Sequence, residues 1–127
     1  MEKSLLVCML ALLEYIVITG LTGSARGKYG VAAPAVSGNE TFERYLRVQQ
    51  NTVEQLVIFI PALFTFAYLG SDLTAAAIGL VFVIGRGIYA WGYITEPKRR
   101  SIGMLLSFFP NIVLVVGALI ALVRTQL

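Results

Sequence analysis

The chain has 127 residues, 57% of them hydrophobic and 13% charged, with ten Lys and Arg against seven Asp and Glu for a formal charge of +3. A mean hydropathy of +0.80 and about half the charge content of a soluble domain, where about 25% is usual, exclude a water-soluble globule; the basic residues sit at segment ends, which speaks for membrane topology and against nucleic acid as a partner. Histidine is absent, so His-based triads, His metal ligands and His-ligated haem are excluded, no metal is expected, and proton chemistry falls to Arg, Tyr, Glu or the substrate.

A bilayer core of about 30 Å needs roughly 20 helical residues. Four segments meet or approach that length, which predicts an all-α integral membrane protein, a four-transmembrane-helix bundle forming one domain over residues 1–127. The predicted helices cover about 4–23, 41–69, 73–95 and 101–124. The first apolar run, Leu5 to Thr22, follows Lys3 and precedes Gly23 and Ala25, as a secretory leader would; Glu14 in its middle and three further spans favour a retained helix. Cys8, with no second cysteine to pair with, reads as packing.

The apolar part of the second span, Leu56 to Leu69, is shorter than a bilayer core requires. It must extend backward through ERYLRVQQNTVEQ, Glu43 to Gln55, whose polar side chains then face protein or water, since lipid satisfies none of them. The Gly70 to Asp72 turn joins it to the third span, Leu73 to Tyr93, as an antiparallel hairpin. The fourth span is Ile102 to Val123. Pro61 and Pro110 fall inside spans, where Asn111 is placed to satisfy a freed carbonyl, and Gly79, Gly85, Gly87 and Gly92 allow close helix approach. The loops GSARGKYGVAAPAVSGN and TEPKRRS carry Arg26, Lys28, Lys98, Arg99 and Arg100, against Lys3 and Arg124 on the other side. The positive-inside rule places these loops in the cytoplasm and both termini outside it.

At about 100° per residue, Arg44, Arg47, Asn51 and Glu54 share an arc of about 80°, and Arg86, Tyr89 and Tyr93 share one of about 60° at the same membrane face. Ion pairing, Glu43 with Arg47 and Glu54 with Arg86, would make their burial bearable. Stability alone would use apolar side chains and avoid the desolvation cost, and arginine exceeds acid within the stripes. The set therefore asks for an anionic ligand. Arginines suit carboxylates, a buried Glu suits an ammonium, and Asn51 and Gln49 suit an amide. A small zwitterionic peptide with two carboxylates, such as glutathione, matches.

FERYLRVQQNTVE before an apolar run, then GRGIYAWGY and a basic loop, resembles the MAPEG family, membrane-associated proteins in eicosanoid and glutathione metabolism. The resemblance runs from about Ser24 to Arg100 and is strongest over Glu43 to Glu54. It implies a homotrimer of four-helix protomers that binds glutathione between subunits near the cytoplasmic face. Arg47, Asn51 and Glu54 would hold the peptide, and Arg26, Gln49, Arg86, Tyr89 and Tyr93 would line the rest. By the same resemblance Arg100 faces the thiol and favours the thiolate, the nucleophilic form. The implied activity is glutathione transfer, with a peroxidase-like side, to a hydrophobic electrophile or lipid supplied by the membrane.

The chain departs from conjugating members at Gly27, where a second basic residue is common and Lys28 follows instead. Pro97 disfavours helix through Glu96, which leaves open which of Lys98, Arg99 and Arg100 reaches the sulfur. Two other readings compete. A non-catalytic family member would bind a lipid without activating a thiol. A small proton-coupled multidrug transporter would use Glu14, since an intramembrane acid is a functional candidate; a partner for an arginine or an interhelical hydrogen bond is the plainer account of that residue.

Overall fold

The computed structural model describes residues 1–96 and 100–127, with the side chain of Arg100 outside the described set. Among the described residues four helices form, α1 (Glu2–Tyr29), α2 (Glu40–Leu69), α3 (Asp72–Thr95) and α4 (Arg100–Gln126), all long and apolar enough to cross a membrane. At 28 residues, α1 is roughly 42 Å long at 1.5 Å per residue, more than the hydrocarbon core requires. It runs past the end expected near residue 23 and carries Arg26 and Lys28 into its last turn, stopping where Gly30 adopts φ 70° and Val31 N–H donates to the Arg26 carbonyl at 3.0 Å. A left-handed glycine is the usual device for such a stop.

The polar start of α2 is helical from Glu40, as crossing the bilayer requires, and Asn39 caps it by accepting from Phe42 N–H at 2.9 Å. Asn39→Ala should cost about 1 kcal/mol, read as a drop of a few degrees in the thermal midpoint in detergent; an unchanged midpoint would show that the cap contributes nothing.

Gly70 and Ser71 alone separate α2 from α3, and Ser71 caps α3 through Thr74 N–H at 3.2 Å. Asp72, the first residue of α3, turns its carboxylate onto α1, accepting from the N–H groups of Lys3 at 3.1 Å and Ser4 at 3.0 Å and from Ser4 Oγ at 2.6 Å. It thus satisfies amides that α1 has no partners for. The start of α1 and the α2–α3 turn therefore share one end of the bundle, and the basic α1–α2 loop lies at the other.

Helices α2 and α3 touch each other and both outer helices, whereas α1 and α4 make no contact among the described residues. Phe59 and Phe82 stack at 4.0 Å in the centre, enclosed by Val7, Ala11, Leu63 and Leu114. Gly79 packs on Val7, and a Cβ at Gly85 would lie 2.6 Å from the Leu106 carbonyl carbon. The tightest crossing is at Gly103 of α4, which lies on the backbone of Tyr89, a position outside the glycines singled out from the sequence. Asn111 corrects an expectation. The carbonyls that Pro61 and Pro110 leave without a donor belong to Val57 and Leu106, yet Asn111 Nδ2 reaches across to α2, donating to the Gln55 carbonyl at 3.3 Å and Oε1 at 3.0 Å.

Candidate functional site

Arg86 is the organising residue. Its side chain is 1% exposed, with Nη2 donating to Thr52 Oγ1 at 2.7 Å and Nη1 to Ser107 Oγ at 3.3 Å. Each hydroxyl donates its own proton to its helix, Thr52 to the Val48 carbonyl at 2.7 Å and Ser107 to the Gly103 carbonyl at 3.0 Å. Their lone pairs are thereby left for the guanidinium. Tyr89, one turn further on α3, places its ring 4.4 Å from Arg86 Cζ, a cation–π contact strengthened by burial. Three helices are thus tied through one cation.

The expected partner, Glu54, is elsewhere. It pairs with Arg47 at 3.8 Å, both side chains more than half exposed at 61% and 52%, and Arg44 pairs with Glu40 at 2.9 Å. The Glu54–Arg86 pair does not form, because the face of α2 that meets α3 carries Val48 and Thr52 and leaves Arg47 and Glu54 pointing outward; nor does Glu43–Arg47, Arg47 turning to Glu54 instead.

Between α2, α3 and α4 a cavity of about 300 Å³ is lined by Asn51, Gln55, Arg86, Ser107 and Phe108. Arg86 Nε and Asn111 Oδ1 are buried nearby with no hydrogen-bond partner, an arrangement that costs free energy unless a ligand or water completes it. Asn51 of one stripe and Arg86 of the other thus line the same cavity within one chain. Tyr89 and Tyr93 lie with ring centroids 5.7 Å apart, packed with Ile18 and Val48. Arg26 is bound to its own loop, donating to the Ala35 carbonyl at 2.7 Å and lying 4.7 Å from the Phe42 ring centroid. Gln49 falls about 200° from Arg47 around α2, away from the cavity. Lys98 and Arg99 lie outside the described residues, as does the side chain of Arg100, whose backbone begins α4.

Thr52, Gln55 and Ser107 were not singled out from the sequence. Their signal was weak but present, since a hydroxyl or amide within an otherwise apolar span needs a partner that lipid does not supply.

The MAPEG family pattern matches residues 4–120. An uncharacterized protein of Synechocystis sp. is 46% identical over 117 residues, covering 92% of this chain and 85% of that protein. Microsomal glutathione S-transferase 2 of Homo sapiens is 45% identical over 85 residues, 67% of this chain and 58% of the relative. Leukotriene C4 synthase of Cavia porcellus is 33% identical over 76 residues, 60% and 51% of the two chains. The chain thus aligns with little more than half the length of the relatives named as enzymes. With a match reaching from the first turn of α1 deep into α4, and four membrane-spanning helices that carry it, the chain belongs to the MAPEG family as an integral, multi-pass membrane protein.

Proposed function

We propose that the chain is a membrane-bound glutathione transferase with peroxidase-like capacity, acting as a homotrimer with glutathione held between subunits near the cytoplasmic face. The observation that carries this reading is the exposed Arg47–Glu54 pair on a membrane-spanning helix. Charged side chains on a lipid-facing surface are costly, so this face calls for a second copy of the chain and a zwitterionic ligand between them. Relatives named microsomal glutathione S-transferase 2 support glutathione as that ligand.

Arg47 would take a carboxylate bidentately, Glu54 the ammonium, and Asn51 an amide, with Arg26, Gln49, Arg86, Tyr89 and Tyr93 completing the pocket from the two subunits. Arg100 would stand by the sulfur. Its charge stabilises the thiolate once the thiol proton has left to water, and the thiolate then attacks a hydrophobic electrophile from the bilayer, forming an S–C bond as the leaving group departs. Both termini would lie on the non-cytoplasmic side.

Glutathione titration of the purified protein in detergent, with conjugation to a nitro-halogenated aromatic as readout, tests the proposal. Arg47→Ala should weaken binding by roughly 10-fold to 150-fold, the loss of a charged hydrogen bond worth about 1.5–3 kcal/mol. Arg100→Ala should bind glutathione but show no thiolate absorbance at neutral pH. Failure of the unmodified protein to bind glutathione would overturn the assignment; binding without conjugation would leave a lipid-binding, non-catalytic member.

A further inference from the structure

Midway along α1, Glu14 is half-buried, and a Cβ placed on Gly87 of α3 would lie 3.3 Å from its Oε2. The carboxylate opens on a groove of about 420 Å³ between α1, α3 and the start of α2, walled by Val17, Leu21, Tyr45 and Trp91 and ending at Thr95. Among the described residues it makes no hydrogen bond and no ion pair within 4.0 Å. Two arginines stand on the neighbouring helices. Arg86 attracts Glu14 through space, but its Nη atoms are held by Thr52 and Ser107 and its unpartnered Nε makes no hydrogen bond to the carboxylate. Arg44, beside the groove's outer end, is held by Glu40 and by the Ile94 carbonyl.

An acid in the hydrocarbon region without a direct partner is costly and calls for a cation. Apart from Thr95 the remaining walls are apolar or aromatic, and aromatic rings such as those of Tyr45 and Trp91 favour positive charge over neutral ligands of the same shape. The volume falls within the range of small-molecule pockets. We infer that this groove binds a lipophilic organic cation that enters from the bilayer and sets its charge on Glu14. Among the described residues, none of the side chains proposed above to hold glutathione lines this groove.

The test uses tetraphenylphosphonium and its anionic isostere tetraphenylborate, with the full chain in lipid nanodiscs. Trp91 is the single tryptophan of the chain and lines the groove, so its emission reports occupancy. Tetraphenylphosphonium should give a saturable change and tetraphenylborate none. Glu14→Gln should weaken the cation at least about tenfold. Val17→Phe, at a position 54% exposed, should narrow the groove and weaken binding at least about threefold with the acid intact and the helical circular dichroism unchanged. Equal responses to the two ions, no saturation, or a Glu14→Gln variant that binds as the parent does would overturn the inference. The last result with a lowered melting midpoint would leave Glu14 as a counter-charge to Arg86 alone.

Discussion

Gly103→Ala is expected to lower the thermal midpoint in detergent by on the order of 10 °C and to weaken glutathione binding with it. Two effects oppose each other. Alanine is the better helix former by about 0.8–1 kcal/mol, which by itself would raise stability. At Gly103, however, the new methyl would land on the backbone nitrogen and Cα of Tyr89. No rotamer change relieves a clash with main chain, so α4 must move away from α3, at the upper end of the 1–3 kcal/mol typical of overpacking or beyond it. The displacement also carries Ser107 away from Arg86. Gly20→Ala is the internal control, since a Cβ there meets nothing within 4 Å and only the propensity gain of up to about 1 kcal/mol applies. Should both variants melt at or above the parent's midpoint, the close α3–α4 crossing is wrong.

Thr52→Val should cost about 1.5–3 kcal/mol, although it changes neither size nor shape. The valine preserves packing and deletes the acceptor of the 2.7 Å bond from Arg86 Nη2, leaving a second buried donor beside the already unpartnered Nε. Hydrogen bonds to charged groups fall in that range, and an orphaned donor carries its whole desolvation penalty. The physical account makes a further demand. With Arg86→Met in the same chain there is no guanidinium left to strand, and the pair should regain most of the lost stability while glutathione binding stays low. Midpoints measured for both singles and the double give the coupling energy directly. Additive losses would show that Thr52 and Arg86 do not depend on each other.

The four spans were legible because hydrophobic length and the positions of Gly, Pro and basic loops are local properties. The backward extension of α2 followed from length alone, as Leu56 to Leu69 falls short of the bilayer. Helical periodicity also placed Arg47 and Glu54 on one arc, and they do pair. Periodicity fixes which residues share a face of one helix, but it is silent about which face meets which neighbour. That choice belongs to the tertiary structure. The rotation of α2 against α3 and α4 gave Arg86 two hydroxyls in place of Glu54, sent Asn111 across to Gln55, and turned Arg47 and Glu54 outward. It was decided by close packing at Gly79, where Leu63 and Phe59 of α2 approach, and at Gly117, which lies against Phe66, and by contacts spanning tens of residues that no local window contains.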